Sequence, residues 1–308
     1  MYRLLSLAIS LVLLGSLSAE AQVTLKHKTA ENSRLSTTVK TSTSQVLTIV
    51  GMDLETKVKQ TMVAEQTSGT RAKDGTLEVV ETVKSLQVDV TYPGGAQISY
   101  DSSKENTPAG TQVDFLLGLF DVIASSKTAF KLDRAGNCLS VAIKLKGLDE
   151  LPEEVKPLLA QQTDTGYLRD TYNMRLKEVP ATPLKVGESW VIEFPMKLGD
   201  GQILETKRTM TYKGVEMTAS GKKLHVITGV TNDAQLVQSP DVKGSAPVSD
   251  SKLTVKSSSI RILFDNELGR PTLSEYKLQL AGSITLTING MALPCQIDLT
   301  MDIAAATR

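Results

Sequence analysis

Aliphatic residues recur at every second position along most of this 308-residue chain, and that period admits few structures other than half-buried antiparallel strands. Leu86, Val88, Val90 and Tyr92 alternate with Gln87, Asp89 and Thr91. Ile284, Leu286 and Ile288 alternate with Thr285 and Thr287, and Ile297, Leu299, Met301 and Ile303 with Asp298, Thr300 and Asp302. Each strand therefore has one face for a core and one for water. Turn signals separate them: Lys73-Asp74-Gly75, Pro93-Gly94-Gly95, Gly199-Asp200-Gly201, Ser220-Gly221 and Asn289-Gly290 suit hairpins that need positive φ.

The stretch Leu253 to Phe264 is long for a strand, and its apolar parity switches between Val255 and Ile260 across Ser257-Ser258-Ser259, which predicts a bulge or bend. Strands of that length coil. The expected fold is mainly β, with long curved antiparallel strands in a sandwich or open-barrel arrangement. Two helical stretches interrupt it. In Gly110 to Ser125, entered at Thr107-Pro108 or at Thr111, the residues Val113, Leu116, Leu117, Phe120 and Ile123 form one stripe. Phe115, Leu119 and Val122 fill much of the rest, so this helix should be buried on more than one side. Pro152 to Lys177 is polar, broken by Pro157 and Gly166, and reads as a surface connector. The stiff link Val179-Pro180-Ala181-Thr182-Pro183 follows it. A boundary there divides the chain into a β-rich half over 23–178 and a second over 179–308. Asp-and-Gly turns at Leu132 to Ser140 and Phe264 to Ser274 echo each other, as a duplicated unit or two ordinary hairpins would.

Arg3, the apolar run Leu4 to Leu14 and Ala19-Glu20-Ala21 have the layout of a cleavable export signal over 1–22. The run is short for a membrane span, and no cysteine at the cut offers an acylation site. This predicts an exported protein, periplasmic or extracellular, with no transmembrane segment after cleavage. Lys and Arg number 34 and Asp and Glu 34, a balance that argues against nucleic acid as partner. Aromatics at 4% weaken carbohydrate stacking. Cys138 and Cys295 would join in an oxidising compartment if the fold brought them together; the alternative is two small buried hydrophobes inside strands.

Familiar catalysis finds no footing. The chain contains no H-E-x-x-H, C-x-x-C, G-x-S-x-G or P-loop motif, and no cofactor or metal is implied. Of the two histidines, His27 falls where termini are often loosely held, and alternation turns His225 to water. Ser249-Asp250-Ser251-Lys252 has the S-x-x-K spacing, but in a Pro- and Gly-rich stretch that reads as a loop. Asp298 and Asp302 read as a solvated strand face, and Trp190 as a core anchor with Ile192 and Phe194.

The run from Pro183 through Phe194, with Val186-Gly187-Glu188-Ser189-Trp190 opening a strand after a Pro-containing link, resembles a group of exported bacterial β-rich domains of unknown function. The Asp-and-Gly turns fit the same group, whereas Glu188 stands where aspartate is the usual form. The resemblance implies export and a β-rich fold and brings no catalytic residues. Three functional readings follow. The first is a non-enzymatic envelope protein binding a lipid or other apolar ligand, with Leu116, Leu117, Phe120 and Ile123 lining the site. The second is a scaffolding module whose partner is another envelope protein, and the third a hydrolase with an unrecognised site.

Overall fold

The computed structural model describes residues 22–308 except 109, 112, 154, 200, 240–245 and 289. The export signal over 1–22 lies outside them but for Gln22, as do Asp200 and Asn289 of two expected turns. In chain order the elements are β1 (Arg34–Ile49), β2 (Met52–Ser68), β3 (Leu77–Thr91), β4 (Gln97–Asp101), α1 (Phe115–Ala124), β5 (Lys127–Leu132) and β6 (Cys138–Lys144). Then come α2 (Lys156–Thr163), α3 (Thr165–Leu176), β7 (Ser189–Gly199), β8 (Gln202–Met217), β9 (Lys223–Gln238), β10 (Val248–Asp265), β11 (Arg270–Ile288) and β12 (Met291–Thr307).

The strands form one 12-stranded sheet in the order β6-β5-β3-β2-β1-β12-β11-β10-β9-β8-β7, with β4 also on β3. Every pairing is antiparallel. The fold is thus mainly β with long strands, as the alternation required, and the sheet is open. The stretch 23–178 supplies one wing and 179–308 the other. Pairing of β1 with β12, from Thr37↔Thr307 to Ile49↔Cys295, joins the wings at the centre.

Register fixes the inner face. Thr43 stands opposite both Val58 and Met301, and these opposite Val90 and Leu278, so the row shares one side. Along that side Leu280, Ile284, Cys295, Ile297 and Leu299 build the largest core cluster. The expected bulge is present as a register shift between Val255 and Ser257 in β10. It puts Leu253 and Val255, which pack on one core cluster, on the same face as Ile260 and Ile262, which belong to another, although their parities differ.

Helix α1 lies on the inner side. Leu117, Phe120 and Ile123 pack toward Val58, Met62, Val88 and Val90, while Leu116, Leu119 and Val122 face Leu151, Val155 and Leu159. The helix is buried on two sides, as its composition demanded. It begins at Phe115, later than read, because the Asp114 carboxylate accepts from Gly110 N, Thr111 N and Thr111 Oγ1 at 2.7, 3.0 and 2.7 Å and holds the preceding residues in a turn. The polar connector is α2 and α3. Its break falls at Asp164, whose side chain caps α3 by accepting from Tyr167 N, and Pro157 sits harmlessly in the first turn of α2.

Three readings need correction. Cys138 and Cys295 are free thiols, buried in different core clusters on β6 and β12, so they do not form a disulfide and take the alternative role of small buried hydrophobes. The S-x-x-K run lies in β10 beyond Val248, not in a loop. His27 is not loosely held: Lys28 N donates to Gly269 O at 2.9 Å, Asn266 bonds to Lys26 N and Thr24 O, and Leu25 is 1% exposed. Residues 23–29 therefore seal one end of the sheet, where β10 turns into β11.

Candidate functional site

The inner face carries a polar belt where hydrophobic alternation would put apolar groups. On β3, Leu77 and Val79 are buried, and Glu81, next on that parity, stands opposite Gln66 and Thr128. On β8, Thr206 and Arg208 occupy the parity of Leu204 and Met210. Arg208 is 7% exposed and Glu178, just past α3, 6%. Tyr276 Oη donates to Glu178 Oε2 at 2.7 Å, Arg208 Nη1 lies 3.5 Å from Glu178 Oε1, and Arg208 Nε donates to Thr206 Oγ1 at 3.2 Å. The guanidinium is stacked over Phe194, 4.3 Å from the ring centre. Burial pushes the Glu178 carboxyl up and the Arg208 guanidinium down, and each opposes the other's shift by stabilising its charged form. This set is satisfied and ties the end of α3 to β8 and β11 across the sheet.

Helix α3 also fills the space between the two sheet edges. Asn173 accepts from Cys138 N at 2.7 Å and donates to Cys138 O at 3.0 Å, completing an edge residue of β6. At β7, Lys197 N donates to Tyr167 Oη at 3.1 Å, and Lys197 Nζ pairs with Asp164 at 2.7 Å. Since Lys197 N–H points away from β8, parity places Pro195, which lacks an N–H, at the same outward position, where a strand tolerates it. An edge that would recruit other strands is so covered by a helix. The connector read as a surface element is a wedge.

The inward side of α3 is marked by Tyr172, whose ring lies 5.3 Å from that of Phe130. Arg175 follows three residues on along the helix, and Glu178 lies just past its end. Arg175 is nevertheless exposed, and its side chain makes no ion pair or hydrogen bond among the described residues. Its charge is felt by Glu81, Glu178, Arg208 and Tyr276. Glu81 likewise has no hydrogen bond or ion pair among the described residues, and burial pushes its carboxyl up against the pull of Arg175. Elsewhere on the inner face, Val39, Thr41, Thr43, Met62 and Ile303 are only half-buried.

At the end opposite the sealed one, the inner apolar parity runs past the core. Ile49 pairs with Met52 and Leu47 with Leu54, and Ile288 pairs with Met291. Met52, Leu54 and Met291 are 64%, 36% and 62% exposed. The β1–β2 hairpin tip is Val50-Gly51, with φ of 50° and 76°; Val50 is a β-branched residue in the left-handed region, 82% exposed.

Two clefts are present elsewhere. One of about 310 Å³ is lined by the outer-face charges Lys40, Lys59, Lys277, Asp89, Glu275 and Asp302, together with neighbours that include Tyr276, Ile303 and Ala304. One of about 250 Å³ at the sealed end lies among His27, Arg71, Asp133 and Arg134. Leu116, Leu117, Phe120 and Ile123 are gathered on α1 and line neither. His225 is half-buried rather than turned to water, with Nδ1 2.8 Å from Tyr212 Oη. Ser249 Oγ donates to Thr285 O, and a strand sends residues three apart to opposite faces, so Lys252 is not its partner. Asp298 and Asp302 are exposed, and Trp190 packs beside Met210 and Ile227. Among the described residues no group of three metal-ligating side chains occurs, and no helix is long and apolar enough to cross a membrane. The outer face, with Lys57, Lys59, Asp89, Asp298 and Lys277 exposed, lacks the apolar band that a sheet facing lipid needs.

Sequence reading missed Glu81, Arg175, Glu178, Arg208 and Tyr276. The signal was there: in Leu77, Val79, Glu81 and Leu204, Thr206, Arg208, Met210 a charge interrupts an apolar parity.

A family model described as a family of unknown function (DUF6263) matches residues 74–222, in keeping with the resemblance to an uncharacterised domain family. No curated protein matches the chain. Among solved structures, one of lipovitellin, described by its lipid–protein interactions, is 8% identical, covers 90% of this chain and 25% of its own, and has a TM-score of 0.43. The chain thus spans a quarter of that protein. An outer membrane channel from Pseudomonas putida F1 is 7% identical over 92% of this chain and 97% of its own, with a TM-score of 0.27. The outer membrane protein OprG from Pseudomonas aeruginosa is 7% identical over 93% and 99%, with a TM-score of 0.20. Likenesses at these scores carry no argument about function.

Proposed function

We propose that this is an exported, non-enzymatic envelope protein that holds a lipid or other apolar ligand against the inner face of its sheet. The observation that carries the reading is the inner apolar parity running uncovered into Met52, Leu54 and Met291, with Leu47, Ile49, Ile288 and Leu293 only partly buried behind them. An apolar surface that ends in water invites an apolar occupant. In this reading α1, with Leu116, Leu117, Phe120 and Ile123, is one wall of the site. The protein works in the periplasm or outside the cell.

The test is mass spectrometry of the protein purified from its own host's envelope fraction, native and then denatured. Extra mass lost on denaturation and identified as a lipid is the expected result. Bare protein in the native spectrum, with no uptake when lipid is added back, overturns the reading. A second reading, a protein-interaction module, is favoured by Val191 and Val230, 55% and 45% exposed on the outer face in a row through Thr209 beside edge strand β7. Capture of one envelope protein that is lost on Val191→Lys would support it.

A further inference from the structure

The β11–β12 hairpin carries the longest charge-free stretch of the chain. Leu278 to Ile297 holds no Asp, Glu, Lys or Arg, although those four types make up 22% of the sequence. Core burial explains only one side of it. Pairing runs from Ile284↔Cys295 through Thr285↔Pro294, Leu286↔Leu293 and Thr287↔Ala292 to Ile288↔Met291. Thr285, Thr287, Ala292 and Pro294 therefore lie on the outer face, which carries Lys277 and Asp298 farther down the same strands. The hairpin is neutral on both faces. The adjoining β1–β2 hairpin shares the property, since no residue from Thr41 to Met52 is charged.

The first of these hairpins projects. Strand β1 leaves β12 at Ile49↔Cys295, and β12 extends beyond that level to Met291, about 14 Å of strand. The neighbouring tip, Val50-Gly51, begins one residue past Ile49, so β11–β12 stands about 10 Å beyond it. Met291 is 62% exposed, and Ala292 and Pro294 are exposed beside it.

We infer that this end of the sheet docks on the surface of a neutral lipid bilayer, with the β11–β12 tip among the headgroups and the β1–β2 tip resting on them. Neutrality on both faces decides for a bilayer over a protein. A protein partner covers one face and meets a polar rim, and a ligand on the inner face makes no demand on Thr285, Thr287, Ala292 or Pro294. A bilayer surrounds whatever enters it, so charge is opposed on either side. The projection matches the depth of roughly 5–10 Å at which interfacial segments sit. Deeper entry is barred: β1 does not run along Met291 to Pro294, and hydrocarbon does not admit an open strand edge. The charges that bound the two stretches, Lys40, Asp53, Lys277 and Asp298, are two of each sign, so no net charge draws this end to anionic lipid. The inference goes beyond the ligand reading, which can fail in its mass-spectrometric test while the chain still docks.

The test sediments the full chain with vesicles of phosphatidylcholine, and of phosphatidylcholine mixed with phosphatidylglycerol, at low and high salt. The protein should pellet with both, to an extent that salt and lipid charge change by less than about twofold. Met291→Glu and Ala292→Glu should each weaken binding about fivefold, since a charge near headgroup depth is opposed whichever face carries it. Leu268→Glu, at the exposed turn of the sealed end, should leave binding unchanged. Protein that stays in the supernatant with both vesicles overturns the inference. Pelleting with the anionic vesicles alone, abolished by salt, overturns it as well, because that is adsorption by charge. So does loss in Met291→Glu with Ala292→Glu unaffected, which assigns the hairpin to a ligand or protein on the inner face. Each variant's folding is checked by the near-ultraviolet signal of Trp190, the chain's one tryptophan.

Discussion

Where β10 turns into β11, inner-face Phe264 is 0% exposed, because the His27 ring meets it edge-on at 5.2 Å and Leu25 shares its cluster. Where β1 turns into β2, at the other end of the same sheet, Met52 is 64% exposed and Val50 82%. Both ends are made by alternating strands with apolar inner residues. The difference is that residues 23–29 cover one end, fixed by Lys28 to Gly269 and by Asn266, and among the described residues nothing covers the other. The chain itself closes the sealed end, and the open end leaves its apolar residues in water.

The contrast is broken most forcefully at Phe264. Phe264→Ala should destabilise the protein by about 3–5 kcal/mol, since a fully buried aromatic is replaced by a cavity, whereas Met52→Ala should change the urea midpoint little. Equal losses at the two positions would show that the open end is covered in solution. Next in size is the belt between the ends. Arg208→Met leaves Glu178 buried with Tyr276 alone and should cost about 3–5 kcal/mol, and adding Glu178→Leu should recover part of the loss. A double variant no better than the single would mean the ion pair is not what the site depends on.

That belt shows how far the sequence could be read. The Val255 to Ser257 bulge was legible because parity is a local property, and α1 because its apolar residues crowd all sides of one helical turn. The role of α3 was not. Helix α3 is polar and leads through Glu178, just past its end, into a polar belt, so no hydrophobic period announces it. Its covering of two sheet edges depends on Asn173 meeting Cys138, 35 residues away, and on Lys197 meeting Tyr167. Partners so distant leave no trace in a spacing. Glu81 was legible in principle, as a charge on the parity of Leu77 and Val79. Asn173→Ala tests the wedge: it should cost about 1–3 kcal/mol and speed amide exchange in β6, with β1 and β12 unaffected.

Acid should separate the two ends in a different way. Burial lowers the pKa of both His27 and His225 from 6.5, and both stand at the sealed end, His225 opposite Phe264. An unfolded chain takes up protons on these rings near pH 6.5 while the folded one resists. Their contribution is therefore complete above that pH and is lost as the pH falls toward the folded values. Between pH 7.5 and 5.5, amide exchange should quicken at Leu25, Phe264 and Gly269 before it changes at Ile49 and Leu293. His27→Gln should flatten part of the dependence; a pH response centred on the open end would contradict the assignment.

The smallest effect is the most telling about the open end. Val50 holds a φ of 50° at a hairpin tip, a position where Asn or Gly is easy and a β-branched side chain is strained. Its side chain is 82% in water, so burial does not compensate for that strain. Val50→Asn should therefore raise stability by about 0.5–1 kcal/mol, the range expected when a strained backbone position receives a residue that accepts it. If the tip belongs to the contact end, the same substitution should weaken retention of the apolar ligand, because it removes an exposed apolar group beside Met52. Stability gained together with ligand lost would show that the valine is held there for contact. Stability gained with retention unchanged would confine the ligand to the inner face behind the tip, and narrow the contact surface to Leu54, Met291 and the residues between them.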